Sequence, residues 1–339
     1  MKPSDALQVM LAALREGYPV LLVGGPGTGK TSMTNQAATI LERGYLPIYP
    51  ILADPTDGKG MPAVVNGEAR FLPFGDAKQI LEAKDPLIVC LDDLGQAPPA
   101  VQASFMQWIL ARRINGSRIP DCVTFVAATN RKEKGMGVSG ILEPVKSRFV
   151  TIIDIEPDID DTVAWMQKNG VSIEVIAFCK YKKVSPTSGA YLFEKNAPGI
   201  KNSCNPRTLE HLDKLFRLKL PDRVALESYA GACGEAIATE FYGFTKIWQN
   251  LPNPDAVLMN PDKAVIPDDI ATQIALASTL SARVDTQSMG RFCTYADRLP
   301  VEINVFMMTS AISRDDIGLK LQNTRAFTEW TTRHKDVLY

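Results

Sequence analysis

Two neighbouring acids close an apolar run in "IVCLDDLGQAPP", Ile88 to Pro99. Asp92 and Asp93 follow Leu87–Leu91, a stretch apolar enough to be a buried strand. One charge would suffice to end a strand in water. Two like charges at one tip call for a cation, a reacting water, or both. Their counterpart lies upstream, in "GGPGTGKTS", Gly24 to Ser32, which has the spacing G-x-x-x-x-G-K-[ST]. A loop whose N–H groups wrap phosphate oxygens has no room for side chains, so Gly24, Gly25, Gly27 and Gly29 recur around Pro26 and Thr28. The helix that follows, with Ser32 in its first turn, would aim its free N–H groups and positive dipole end at the same anion. In this pattern Lys30 reaches the β- and γ-phosphates and the Thr31 hydroxyl binds Mg²⁺. A magnesium nucleotide also needs an acid at the tip of a neighbouring strand. Asp92 is expected to hold the metal and Asp93 to polarise the attacking water. Adjacent strand residues point to opposite sides, but the strand ends here and Asp93 can turn toward the γ-phosphate.

These residues need a frame that brings strand tips together. Five near-continuous apolar runs provide it: Pro19–Gly24, Tyr45–Leu52, Leu87–Asp92, Cys122–Thr129 and Phe149–Ile155. Continuous rather than alternating apolarity fits strands buried on both faces. Helical patterns at Thr31–Arg43, Asp76–Ala83 and Ala100–Arg113 fall between them, which predicts an α/β fold with a parallel five-stranded sheet between helices. Asn66-Gly67 and Asn115-Gly116, each between apolar arms, predict two inserted β-hairpins, because a type I′ turn needs positive φ at both central residues. After Glu156 the pattern turns helical: Asp158–Lys168, Ser172–Tyr181, Pro206–Leu218 and Val224–Gln249. Leu251–Asp269, rich in Pro, Asn and Asp, reads as a linker, with two or three helices beyond it.

The bulk properties narrow the class. The chain has 339 residues, a formal net charge of −1 and 45% apolar residues, as a soluble globular protein would. No apolar run nears the ~20 residues of a membrane span, and the N-terminus is amphipathic rather than signal-like. The six cysteines lack C-x-x-C spacing and read as reduced thiols of a cytoplasmic protein. His211 and His334 have no partner at metal spacing.

Together the motifs resemble an AAA+ ATPase, and more narrowly the MoxR-type group. "GGPGTGKT" is similar to the family's first nucleotide motif and "VCLDDLGQAP" to its second. "VAATN" is similar to the first sensor strand, with Asn130 in the sensor position. "ILEPVKSRF" resembles the segment ending in an arginine finger, here Arg148, with Arg131 as a competitor. "NPRTLEHL" resembles the start of the second-sensor helix, with Asn205 as cap and Arg207 as sensor. The two hairpins sit where this branch carries insertions. The resemblance spans roughly residues 1–245. It implies an AAA+ nucleotide-binding domain over 1–156, a helical lid over 157–250, and a linker with a helical C-terminal extension over 251–339. It also implies ATP and Mg²⁺, a homo-oligomeric, hexameric ring, and a protein client or von Willebrand factor A-type partner.

Two departures bear on activity. Asp93 stands where the family usually has Glu, shortening the reach by roughly 1.5 Å. Either the backbone compensates or hydrolysis is slow. The "LGQAP" segment also lacks the polar Asn-Arg that often follows. Three readings result: a motor that remodels a partner protein, a DNA-directed loader or translocase, and a slow-hydrolysing ATP-dependent switch. Arg70, Arg112, Arg113 and Arg118 near the hairpins keep the second open, although Phe71 alone could stack on bases there.

Overall fold

The apolar runs become strands, and those at the centre of the sheet are buried on both faces. The computed structural model describes residues 1–131, 140–184, 192–193, 202–314 and 316–335. β1 (Val20–Gly24) and β2 (Gly44–Ile48) precede a hairpin of β3 (Met61–Val65) and β4 (Glu68–Leu72). β5 (Leu87–Leu91) follows, then a hairpin of β6 (Arg113–Ile114) and β7 (Ser117–Arg118), then β8 (Val123–Asn130) and β9 (Thr151–Ile155). The sheet is five-stranded in the order β2-β5-β8-β1-β9, and its pairings are all parallel.

Alternate residues of the inner strands feed two cores. Val20, Leu22, Ile88, Val126 and Ile153 pack under α1 (Pro3–Arg15) and α2 (Lys30–Ile40). Leu21, Val89, Leu91, Phe125 and Ala127 pack on the other face with residues of α4 (Gly75–Leu81) and α5 (Pro99–Met106). Two short helices, α3 (Pro55–Lys59) and α6 (Glu143–Lys146), complete this unit. Each fully buried Leu, Ile or Val contributes about 1.5–3 kcal/mol, so the sheet is a rigid base for its loops.

Both hairpins form at the expected turns. Asn66 and Gly67 have φ 53° and 83°, and Asn115 and Gly116 have φ 42° and 86°. The Asn115 side-chain amide donates to the Lys59 carbonyl, which ties the second turn to the start of the first hairpin. Other boundaries shift. The run Tyr45–Leu52 leaves the sheet after Ile48 and enters a 3-10 turn at Pro50–Leu52, since Pro50 has no N–H for a ladder. The helix expected to reach Arg113 loosens into a π turn over Gln107–Ala111 and stops at Arg112, with φ 51°.

The chain divides into two units, Met1–Asp158 and Ile159–Tyr339. In the second, α7 (Ile159–Lys168), α8 (Ile173–Val184), α9 (Pro206–Arg217), α10 (Asp222–Cys233) and α11 (Glu235–Gln249) come first. α12 (Pro254–Met259), α13 (Ile270–Arg283), α14 (Met289–Ala296), α15 (Val301–Ile312), α16 (Gly318–Gln322) and α17 (Arg325–Arg333) follow. Beyond Asp269 the described residues hold five helices, α13 to α17, rather than two or three. The stretch read as a linker contains α12, whose Val257 and Leu258 enter the same core as Phe178, Phe241, Leu276 and Trp330. Lys182 is buried in this unit with Glu240 2.8 Å away.

The helix expected over Val224–Gln249 is two helices. Gly234 breaks it at φ 86°, ψ 159°, a region that in practice only glycine occupies. We expect Gly234→Ala to lower unfolding stability by about 1–3 kcal/mol, read as a lower urea midpoint at unchanged slope. An unchanged midpoint would mean that the break does not depend on glycine.

Candidate functional site

β1 ends at Gly24, which pairs in register with Asn130 of β8 and Ile155 of β9. A Cβ on Gly24 would lie 2.9 Å from the Ile155 carbonyl oxygen, so the close packing of three strand tips excludes a side chain. The loop then turns through Gly27 and Gly29, at φ 73° and 86°, into the N-terminus of α2. Thr28 Oγ1 donates to the Gly25 carbonyl at 2.9 Å and holds the turn closed. Pro26 and Ser32 are exposed at its rim.

Lys30 is buried, with 6% of its surface accessible. Its ammonium donates to the carbonyls of Gly24 at 3.2 Å and Gly25 at 2.8 Å, and to Asn130 Oδ1 at 2.9 Å. The cation therefore spans the phosphate loop and the tip of β8.

The acid doublet divides between two targets. The Asp92 N–H still donates to Ile48 in β2 at 2.8 Å, so this residue belongs to the sheet. Its carboxylate accepts from Thr31 Oγ1 at 2.8 Å and from the Asp93 N–H at 3.1 Å. Asp93 then turns left-handed, with φ 54° and ψ 32°. That reversal swings its carboxylate toward β8, where Oδ1 accepts from Asn130 Nδ2 at 3.4 Å. Gln96 Nε2 donates to the same oxygen at 2.8 Å. Donors on each acid make two like charges tolerable side by side. Burial pushes the nearby Cys90 thiol up to about 12, so it adds no third negative charge at neutral pH.

Thr31 and Asp92 offer a hydroxyl and a carboxylate, hard oxygen donors that suit Mg²⁺. Such an ion, when bound, would neutralise charge on nucleotide phosphates. Among the described residues no cluster of three or more His, Cys, Asp or Glu could hold a metal, and a magnesium nucleotide needs none.

The arginines stand apart. Arg148, just after α6, donates to the Pro144 carbonyl, and its hydrogen bonds do not reach the phosphate loop. Arg131 bonds Asp154 at 2.7 Å and Glu156 at 3.3 Å, and its N–H donates to Gly24 at 3.3 Å, so it braces the tips of β1 and β9. Arg207 lies in the helical unit, exposed at the second position of α9. Asn205 caps that helix in a capping box with Thr208. Sequence reasoning did not assign Gln96 a place in the site. The available signal was a polar side chain three residues beyond Asp93 and directly after a glycine.

The family model of the AAA domain (dynein-related subfamily) matches residues 19–149. No match was found among curated protein sequences. Among solved structures, the Thermotoga maritima RuvB Holliday junction branch migration motor is 17% identical, with TM-score 0.41 over 82% of this chain and 80% of that one. NtrX from Brucella abortus in complex with ADP is 14% identical, with TM-score 0.42 over 99% of this chain and 68% of that one. Both likenesses are distant. Family match, sheet order and phosphate loop agree that residues 19–149 carry an AAA domain on the P-loop fold.

Proposed function

We propose that the chain is an ATP-hydrolysing AAA+ protein of the MoxR type, working as a ring that remodels a partner protein. The observation that carries hydrolysis is the connected set Lys30–Asn130–Asp93, beside Thr31–Asp92, at three strand tips. In this reading the loop N–H groups of Gly24–Thr31 and the α2 N-terminus bind the phosphates. Lys30 exchanges its carbonyl partners for the β- and γ-phosphate oxygens. Thr31 and Asp92 hold Mg²⁺. Asp93 and Asn130 orient the attacking water, with Asp93 accepting its proton.

Arg148 is the proposed finger acting on the nucleotide of a neighbouring copy. Arg131, the competitor, already neutralises Asp154 and Glu156, which favours Arg148. Arg207 is the proposed second sensor, and its exposed place at a helix start leaves its guanidinium accessible. The helical residues 157–250 would serve as the lid.

The client reading draws on the hairpins. β3 and β4 expose Met61, Val64, Phe71 and Leu72, and the Asn115–Lys59 bond sets the second hairpin beside them. An exposed apolar ribbon suits a protein client or a von Willebrand factor A-type partner. It suits DNA less, because most of the nearby arginines are engaged. Arg70 pairs Glu68, Arg118 pairs Asp121, and Arg112 is spent on the carbonyls of Pro120 and Val123. Among the described residues no helix is long and apolar enough to cross a membrane.

Lys30→Ala should weaken ATP binding or abolish turnover in a chain that still folds, with a thermal midpoint lowered by the loss of the Lys30 hydrogen bonds. Normal hydrolysis by this variant would sink the phosphate-loop reading. Asp92→Asn should weaken Mg²⁺-dependent nucleotide binding, whereas Asp93→Asn should trap ATP at nearly unchanged affinity, since the lost interaction belongs to the transition state. Asp93→Glu should lower kcat, on the order of tenfold to a hundredfold, because the left-handed turn is fitted to the shorter acid. Faster turnover in that variant would instead make Asp93 a brake and favour the switch reading. Arg148→Ala should keep ATP binding, lose hydrolysis and regain it when mixed with unaltered subunits. A monomer that hydrolyses ATP at every nucleotide concentration would refute both ring and finger.

A further inference from the structure

We infer that Gln96 is a positioning residue for Asp93, fixing the direction of its carboxylate so that the shorter acid can serve the reacting water. This rests on the hydrolytic reading above and assigns it a further residue.

The backbone sets the arrangement. After Asp93 the chain makes one 3-10 turn, Leu94–Gln96, closed by the Gln96 N–H on the Asp93 carbonyl at 2.9 Å. Leu94 and Ala97 are both fully buried and anchor the turn from either end. Gly95 fits against β8 so closely that a Cβ would lie 2.2 Å from Thr129 Oγ1. The turn is thus held in place before any side chain of the site is considered.

That backbone leaves Gln96 over the acid. Its Nε2 donates to Asp93 Oδ1 at 2.8 Å, while its Oε1 accepts from Thr129 Oγ1 at 3.3 Å. The two bonds fix the amide's orientation, because the reverse would set Oε1 against a carboxylate oxygen. Asn130 Nδ2 donates to the same Oδ1 at 3.4 Å. Two donors converging on one oxygen restrain rotation of the carboxylate about its Cβ–Cγ bond. The left-handed φ at position 93 favours Asp over longer acids, since short polar side chains tolerate that region best. Residue type, backbone and the Gln96 donor are consistent with one another. An added methylene would carry the carboxylate past both amides.

The test is the steady-state ATPase rate of the full chain with magnesium ATP, beside ATP affinity and thermal midpoint. Gln96→Leu removes both bonds. Gln96→Glu keeps the shape but replaces the donor with a like charge. We expect each to lower kcat on the order of tenfold to a hundredfold while ATP affinity stays within about twofold, because the carboxylate matters mainly in the transition state. In an Asp93→Glu background, where the carboxylate has already left Gln96, Gln96→Leu should cost no further activity. A kcat within about twofold of the unaltered chain in both variants would overturn the inference. So would a full additional loss in the Asp93→Glu background, which would mean that Gln96 does not act through Asp93. Should Gln96→Leu fail to fold, Gln96→Glu decides alone. Absence of turnover in the unaltered chain is a separate result, which overturns the hydrolytic reading and this inference with it.

Discussion

The Asn130 side chain is the joint on which the site depends. Its oxygen accepts from Lys30 and its nitrogen donates to Asp93, so one amide links the cation of the phosphate loop to the second acid. Neither contact is local in sequence. The first requires Gly24 and Asn130 to be level across the β1–β8 pair, and the second rests on the β5–β8 pair, where Leu91 is level with Ala127. A slip of one residue would turn the Asn130 side chain to the other face of the sheet. The cores on the two faces prevent that slip, because Leu21 and Leu22, or Ala127 and Ala128, would have to exchange environments. Apolar packing some distance below the strand tips therefore holds the polar geometry above them.

The doublet is a second constraint resolved by backbone shape. Two adjacent carboxylates on a continuing strand would face opposite sides of the sheet. Here the first stays on the ladder and the second leaves it in a left-handed turn. Their charges are met separately, Asp92 by the Thr31 hydroxyl and a backbone N–H, Asp93 by two side-chain amides. The arrangement gives the two acids different surroundings and so different chemical tasks, although they are identical in type.

The helical unit obeys ordinary packing rules with one exception in its local signals. Helical periodicity runs through Gly234 without interruption, yet the backbone there adopts a conformation that ends one helix and starts another. A related effect hides α12 inside a Pro- and Asn-rich stretch. Composition favours an open linker, but burying Val257 and Leu258 in a large apolar core outweighs it. At α12 tertiary burial overrides a weak local preference, whereas at Gly234 a single residue's backbone freedom overrides the periodicity.

By itself the sequence determined the sheet, the hairpins, the phosphate loop and the cap of α9. Each is encoded in a short window: continuous apolarity, Asn-Gly pairs, glycines at fixed offsets, Asn205 before Pro206. It also identified Lys30, Thr31, Asp92, Asp93 and Asn130 as residues that could meet, because parallel strands bring their tips to one edge. Only the tertiary structure decided how they meet. The left-handed turn at Asp93 has no sequence signature beyond a residue that tolerates it. The bond from Gln96 to Asp93 depends on how closely Gly95 approaches Thr129, residues 34 positions apart in the chain. Engagement of Arg131 by Asp154 and Glu156 depends on β9 lying beside β1. Local windows carry backbone preference and burial. Contacts between side chains far apart in the chain arise only once the sheet has chosen its neighbours.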